Sequence, residues 1–253
     1  MTEALPRYGI AALTLFTATI LERAGLREAD AEVSADILVT SDVYGSESHG
    51  IARLGYYVNL IAAGLIDVEA SPVVERETAV TAVVDARNGF GPPAARLALA
   101  GCLEKAQRAG LAMVTVRNSN HFGIARYYAM MAAREGLVGM AATNAGPHVV
   151  LGGTRSRPPR PSGLGHFFAA WRPDAFRPRE EFLADVDDLI RSLSETAPGQ
   201  TGGAGRVAGE LEFAAEQDRR VHGVPIHPCV AVELEQIALK MAVPFPRRAG
   251  VHA

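Results

Sequence analysis

The 253-residue sequence has only two cysteines, one tryptophan and no excess of either charge. Cys102 and Cys229 are far apart and show neither metal-ligand nor redox spacing, which excludes a disulfide framework and fits a reducing cytoplasm. A net charge of -3 gives no broad basic surface, so nucleic acid and anionic membranes are not expected as partners. Because 48% of the residues are hydrophobic, we expect a cytoplasmic globular protein with a substantial core.

Long apolar runs and the standard phosphate-binding loops are also missing. The run at residues 9–21 is followed at once by Glu22 and Arg23, and is shorter than the roughly 20 apolar residues that span a bilayer. No small-residue cleavage site follows it, so a core helix is expected rather than a signal peptide. Neither GxGxxG after a strand nor GxxxxGK[ST] occurs. The two common nucleotide-binding motifs are therefore excluded.

A polar motif, Ser48-His49-Gly50 followed by Arg53 and Tyr57, interrupts an otherwise apolar stretch. His49, Arg53 and Tyr57 are four residues apart, which predicts that one helix face carries all three. A guanidinium can hold a carboxylate while a neutral imidazole exchanges a proton with a neighbouring hydroxyl. The motif predicts a site for a hydroxy or keto acid. Its alternative is an N-cap serine followed by an incidental histidine.

A second polar segment, residues 118–123 with the sequence Asn-Ser-Asn-His-Phe-Gly, follows the predicted strand at 111–116. A helix at 124–135 and a strand at 137–143 complete the length of a crossover unit. Ligands favour the carboxyl ends of strands in such units, so this loop is a candidate ligand site. The alternative is an ordinary turn whose Asn and Ser side chains bond their own backbone.

Periodicity and the placement of glycine and proline predict the remaining elements. Further helices are expected at residues 8–25, 28–45, 49–63, 92–109, 178–195, 209–221 and 229–242. Further strands are expected at residues 71–74, 78–84 and 166–171. An arginine- and proline-rich connector lies at 155–164, and glycines at 199–205 predict a flexible linker.

Taken in order along the chain, these motifs resemble the malate/L-lactate dehydrogenase family, whose NAD(P)-dependent enzymes are unrelated to the Rossmann-fold lactate dehydrogenases. The motifs that carry the resemblance are Ser48-His49-Gly50 with Arg53, Asn88-Gly89-Phe90-Gly91, Asn118 to Gly123, Thr143-Asn144-Ala145, Gly165-His166-Phe167-Phe168, Pro173 to Phe176, and His222-Gly223-Val224-Pro225. Their shared order is far more specific than any one of them.

The resemblance implies reversible hydride transfer between a 2-hydroxy acid and NAD or NADP, without a metal. It makes His49 the acid/base on the substrate oxygen, Arg53 the carboxylate clamp and Ser48 a polar orienter, with His121 a second catalytic or nicotinamide-site residue. The cofactor contacts it implies are Asn118, Asn120, His121, Asn144 and His166. It also implies a homodimer.

The chain departs from the family between residues 154 and 165, where family members carry a further stretch of domain size and this sequence has only the connector. Part of the cofactor-binding sheet is therefore expected to be absent. An inactive truncated paralogue or interaction protein is one alternative, and a hydrolase using His49 or His121 as general base is another.

The fold implied is α+β, with helices from both chain ends around a reduced mixed sheet, and not a Rossmann fold. We divide the chain into an N-terminal helical segment at 1–70, a truncated cofactor-binding segment at 71–154, the connector at 155–164, and a strand with C-terminal helices at 165–253.

Overall fold

The structure, a computed structural model, describes residues 5–144, 161–195 and 206–249. It consists of a mixed β-sheet flanked by helices from both ends of the chain. In chain order the elements are β1 (Arg7–Tyr8), α1 (Ile10–Arg23), α2 (Glu28–Val43), α3 (Leu54–Ala62), β2 (Val73–Glu77), β3 (Thr81–Asp85), α4 (Gly91–Ala109), β4 (Leu111–Ser119), α5 (Ala125–Arg134), β5 (Val138–Thr143), β6 (Leu164–Trp171), α6 (Arg179–Ser194), α7 (Glu210–His222), β7 (Val224–Pro225) and α8 (Pro228–Met241).

Five strands form the main sheet in the order β2-β3-β4-β6-β5. Strands β3 and β4 are parallel, and β6 is antiparallel to both β4 and β5. The predicted crossover unit from β4 through α5 to β5 is present with its strands parallel. The strands are not neighbours, however, because β6 lies between them, and no pattern within residues 111–143 predicts that insertion.

Burial alternates along β4 in the manner of a strand with one covered face. Ala112, Val114 and Val116 are buried, whereas Leu111 and Met113 are exposed. Helix α4 covers the buried face with small side chains, which allow the helix and the strands to approach closely. The core therefore lies between this face of the sheet and the helices.

The two ends of the chain meet, which confirms the prediction that helices from both ends pack together. Strand β1 pairs antiparallel with β7, and α8 packs against α1 and α3. The ring of Phe245 makes edge contacts with Tyr8 and Phe16 at centroid distances of 5.4 Å each. Helix α8 is therefore part of the same core as the N-terminal helices.

The helix predicted over residues 49–63 is wrong in its first turn. Two short 3-10 turns, Glu47–His49 and Ile51–Arg53, precede α3, which begins at Leu54. Between the turns, Gly50 leaves the helical conformation, with φ -90° and ψ -147°. The backbone N–H of Ile51 bonds the Asp42 carboxylate and not a helical carbonyl. A tertiary contact thus replaces the helical pattern that the residue spacing predicts.

Several predictions lie wholly or partly outside the described residues. These are the linker at 199–205 and the part of the connector at 155–160. The division of the chain into four segments stays a prediction. Within the described ranges, no helix combines the length and the apolarity that crossing a membrane requires.

Candidate active site

The 3-10 turns bring His49 and Arg53 together, although not on one α-helical face as predicted. The Arg53 Nε donates to the backbone O of Ser48 at 2.7 Å, which folds the guanidinium back along the loop. The Ser48 Oγ lies 2.9 Å from Nδ1 of His49. Arg53 makes no ion pair within the described part of the chain. Its charge is therefore available to a ligand.

His121, on the loop after β4, is held through one ring nitrogen. The Tyr57 hydroxyl lies 2.6 Å from Nδ1, and the backbone N–H of Gly123 donates to the same atom at 3.2 Å. Since an N–H can only donate, Nδ1 must be the acceptor, and a neutral ring then carries its proton on Nε2. Among the described residues Nε2 has no partner. His121 can therefore offer an Nε2–H to a ligand.

The rings of His49 and His121 stack at a centroid distance of 5.4 Å and an interplanar angle of 29°. The structure thus brings three of the predicted catalytic residues, His49, Arg53 and His121, into one cluster, with Ser48 against His49. Tyr57 completes the cluster from α3. The four-residue spacing had singled out Tyr57, but nothing in the sequence indicates that its hydroxyl binds His121.

Both histidines of this cluster are held neutral. Burial is the main cause that lowers the pKa of His121 to about 3, and the Arg53 charge lowers it further, with smaller effects from His49 and His166. Burial also lowers the pKa of His49, and Arg53 again contributes. The cluster therefore combines two neutral imidazoles with one unpaired cation, an arrangement that suits an anion carrying an exchangeable proton.

Two of the predicted cofactor contacts, Asn118 and Asn144, lie at the carboxyl ends of strands β4 and β5. Because these strands run parallel, both ends are on the same side of the sheet. The Asn118 Nδ2 donates to both carboxylate oxygens of Asp85, at 3.1 and 3.2 Å. The Asn144 Oδ1 accepts from the backbone N–H of Gly165 at 2.6 Å. Both side chains are exposed, and within the described ranges the other half of each amide has no partner. They fit a ligand rich in amide and hydroxyl groups.

Asn120 is 1% exposed and faces into the protein. Its Nδ2 donates to the backbone carbonyls of Gly89 at 2.9 Å and Asn88 at 3.1 Å, which fixes the turn before α4. Its Oδ1 is buried and accepts no hydrogen bond from the described residues. Direct contact between Asn120 and a cofactor stays a prediction, and this geometry gives the side chain a structural task.

His166, in β6, is 3% exposed and engages both ring nitrogens. Nε2 lies 3.1 Å from the Asn120 carbonyl and 2.9 Å from the Ser119 Oγ, and Nδ1 lies 2.9 Å from the Thr143 Oγ1. The ring stacks on Phe122 at 4.2 Å. Burial lowers the pKa of His166 to about 4. No polar atom of the ring is left over for a ligand, so this geometry gives His166 a structural task. Its predicted contact with a cofactor stays a prediction.

Asp42, in α2, is a residue of the site that sequence reasoning missed. Its carboxylate accepts from the backbone N–H of Ile51 at 2.8 Å, next to Gly50. The signal available in the sequence was an acidic residue at a position of the predicted helix 28–45 that faces the core. Such a position buries a carboxyl only when a partner receives it.

Four cavities formed by the described residues are not lined by His49, Arg53 or His121. A cleft of about 780 Å³ lies elsewhere, between the chain ends, and is lined by Arg7, Asp218 and His222 among others. In the ranges that the structure describes, no group of three His, Cys, Asp or Glu side chains is placed to hold a metal ion. The case for a ligand at His49 and His121 therefore comes from their chemistry and not from cavity volume.

Comparison with known proteins gives matches over most of the chain. A family model described as malate/L-lactate dehydrogenase matches residues 9–158 and 152–235, so its two parts meet beside the predicted connector. A malate dehydrogenase of Pyrococcus abyssi is 42% identical over 134 residues, which are 53% of this chain and 37% of the relative. An L-sulfolactate dehydrogenase of Methanocaldococcus jannaschii is 35% identical over 128 residues, 51% of this chain and 37% of the relative.

These matches cover less than half of the length of the curated relatives. Among solved structures, malate dehydrogenase from Pyrococcus horikoshii superposes with a TM-score of 0.88 at 24% identity, over 97% of this chain and 99% of that chain. Sulfolactate dehydrogenase from Methanocaldococcus jannaschii gives 0.83 at 20% identity, over 94% and 98%. The structural likeness shows a common fold.

Proposed function

The chain belongs to the malate/L-lactate dehydrogenase family, and from this premise we propose that it interconverts a 2-hydroxy acid and its 2-keto acid by hydride transfer, with NAD or NADP as cofactor. The observation that carries the proposal is the stacked pair of neutral imidazoles, His49 and His121, beside the unpaired guanidinium of Arg53. Each of these groups has a separate task in such a reaction.

Arg53 binds the substrate carboxylate. A planar guanidinium pairs with a carboxylate through two parallel hydrogen bonds, so a simple alcohol loses this interaction. The negative charge of the bound acid also offsets the positive charge that lowers the pKa of His49. Substrate binding therefore makes His49 a stronger base at the moment when the base is needed.

His49 takes the hydroxyl proton as the C–H bond breaks and its electron pair leaves as hydride. The Ser48 hydroxyl can accept from Nδ1–H of His49, which leaves Nε2 as the base. Of the two histidines, His49 suits this role better, because a pKa of about 3 makes His121 a poor base near neutral pH. His121 instead donates its Nε2–H to the substrate oxygen.

The residues that would hold the nicotinamide cofactor are Asn118 and Asn144, at the carboxyl ends of β4 and β5, because half of each amide has no partner among the described residues. When bound, the cofactor accepts or supplies the hydride. Asn120 and His166 hold the surrounding backbone in place. The Asn120 Nδ2 donates to the Gly89 carbonyl, and the His166 Nδ1 bonds the Thr143 hydroxyl.

A homodimer is part of the same proposal. Helix α6 has 16 residues and none of them is buried. Its exposed apolar side chains are Leu183, Leu189, Ile190 and Leu193. Their spacing places them on one side of the helix, as in a contact with another chain. Light scattering of the purified protein at several concentrations tests this part.

The experiment that tests the function is a fluorescence titration with NADH and NADPH, followed by assays with oxaloacetate, pyruvate and 3-sulfopyruvate. We expect saturable binding of at least one nucleotide, and oxidation of that nucleotide that depends on the keto acid. His121→Ala and Arg53→Ala should each lower turnover by about 100-fold or more. His222→Ala and Arg108→Ala are matched controls, because both residues are exposed and remote in their contacts from the cluster.

Folded protein that binds neither nucleotide would refute the proposal and favour an inactive member of the family. Turnover of an ester without nucleotide, lost in His121→Ala, would instead favour a hydrolase.

A further inference from the structure

Asp42 is 2% exposed and contacts the loop that carries the proposed base and clamp. Its Oδ2 accepts from the backbone N–H of Ile51 at 2.8 Å, at the junction of the two 3-10 turns. His49 ends the first turn and Arg53 ends the second. A bond at this junction therefore sets how the imidazole and the guanidinium are placed relative to each other.

Gly50 shows how closely the carboxyl fits the loop. A Cβ on Gly50 would lie 2.2 Å from the Asp42 Oδ1, which is shorter than any contact that two such atoms tolerate. The Asp42 carboxyl therefore occupies the space that a side chain on Gly50 would need. The loop and Asp42 are thus fitted to each other at this point.

A second contact holds the start of the same loop. Arg219 of α7 donates to the backbone carbonyl of Asp42, and its other Nη pairs with Glu47 at 2.5 Å. Arg219 is nearly buried in this position, with 12% of its side chain exposed. The first 3-10 turn is therefore attached to α2 through Arg219, and the second through the Asp42 carboxyl.

We propose that Asp42 is the positioning residue of the active site, which holds His49 and Arg53 at their working separation through Ile51. The inference rests on the proposed function for its kinetic consequence, but not for its structural one. Asp42 touches neither substrate nor cofactor in this view. Its loss acts through the loop, and a displacement of about 1 Å at reacting groups costs on the order of 100-fold in rate.

Asn is a conservative replacement for Asp42. Burial raises the pKa of Asp42 to about 8, the Glu47 charge adds to this, and the Ile51 bond and Arg219 oppose it. The carboxyl is therefore mostly neutral at pH 7. An amide has the same shape and keeps an oxygen that can accept from Ile51.

The test compares Asp42→Ala and Asp42→Asn with Asp36→Asn, a control on the same helix whose carboxylate accepts from Tyr127 at 2.5 Å and does not contact the loop. Two readouts are taken: keto acid kinetics, and the histidine NMR titrations, assigned among the seven histidines with His49→Gln and His121→Gln. We expect Asp42→Ala to lower kcat/KM about 100-fold, and to move the pKa of His49 back toward its ordinary value. Asp42→Asn should stay within a few-fold of the parent.

An Asp42→Ala protein that melts at a lower temperature, yet keeps the parent kinetics and the parent His49 titration, would overturn the proposal and leave Asp42 a structural residue only. The NMR titration needs neither turnover nor nucleotide. If the parent turns over no acid, the proposed function fails while the His49 titration still decides the role of Asp42.

Gly50→Ala covers the case in which Asp42→Ala does not fold, and its combination with Asp42→Gly tests whether the two residues share a contact. We expect Gly50→Ala to displace the loop and to shift the His49 titration as Asp42→Ala would. In Gly50→Ala combined with Asp42→Gly, the clash is removed, so the Gly50 substitution should add little further change. Full additivity of the two substitutions would contradict a shared contact.

Discussion

His121 and His166 both have a pKa that is lowered mainly by burial, and both lie near the carboxyl ends of β4 and β5, yet their surroundings differ in one respect. His166 engages Nδ1 and Nε2 with three residues from two segments of the chain, Ser119 and Asn120 after β4 and Thr143 in β5. His121 engages Nδ1 alone, and the charge of Arg53 lies close enough to lower its pKa. A buried histidine with both nitrogens bonded holds structure together, whereas one with a free nitrogen beside an unpaired cation is available for chemistry.

The largest expected effect is on activity. His121→Ala should lower kcat about 100- to 10,000-fold, the range for loss of a group that assists proton transfer. Its stability should fall less, because the main cost is the unpaired Tyr57 hydroxyl. Steady-state assays and urea unfolding measure the two effects. Parent-like turnover in His121→Ala would remove the distinction between the two histidines.

The second prediction concerns His166, whose replacement should affect stability more than that of His121. His166→Ala should lower the free energy of unfolding by about 3–5 kcal/mol, because it leaves a cavity beside Phe122 and removes the hydrogen bonds of the ring to Ser119, Asn120 and Thr143. Urea unfolding at pH 7 is the measurement, with His121→Ala in parallel. If the two variants proved equally stable, the structural reading of His166 would be wrong.

The third prediction sharpens the assignment of Arg53. Arg53→Lys keeps the charge but loses the paired hydrogen bonds to a carboxylate, so KM for the keto acid should rise about 10- to 100-fold while kcat changes less. The His49 titration should stay close to that of the parent, because the charge remains. A fall in kcat with unchanged KM would point to a role for Arg53 outside substrate binding.

The smallest expected effect is a pH dependence of stability. The folded-state pKa values of His121 and His166, about 3 and about 4, lie below the ordinary 6.5, so the unfolded chain takes up protons first as the pH falls. Each histidine should therefore lower stability by about 1–2 kcal/mol between pH 7 and pH 5, whereas Asp42, whose folded-state pKa of about 8 lies above the ordinary value, acts in the opposite direction over the same range. Chemical unfolding from pH 7 to pH 5 checks it. His166→Leu should show a shallower decline than the parent.

Much of the fold follows from local signals. The glycines that end α1, α2 and α3, the apolar alternation of β4 and the proline at the start of α4 are all readable along the chain. The residues of the proposed catalytic cluster can also be picked out from the sequence, because their chemistry is unusual for their surroundings. What could not be predicted depends on contacts between distant segments.

Three features show this limit. The bond from Ile51 to Asp42 turns the expected helix start into two 3-10 turns. The insertion of β6 between β4 and β5 depends on residues more than 40 positions beyond β4. The burial of His166 and Asn120 depends on the same insertion, so their polar side chains looked available in the sequence although the structure uses them internally.

The position of β6 also sets an order of assembly. Strand β5 forms the edge of the main sheet and pairs within it only with β6, across the described part of the chain. On the ribosome, residues 138–143 therefore emerge well before the partner strand at 164–171. The part of the sheet that contains Asn118 and Asn144 is completed only after that partner strand has paired. Pairing across such sequence distances is slow. The insertion of β6 is thus a late folding step of the nascent chain, and it occurs where the proposed ligands bind. The yield of folded protein on synthesis should depend on how quickly β6 is inserted.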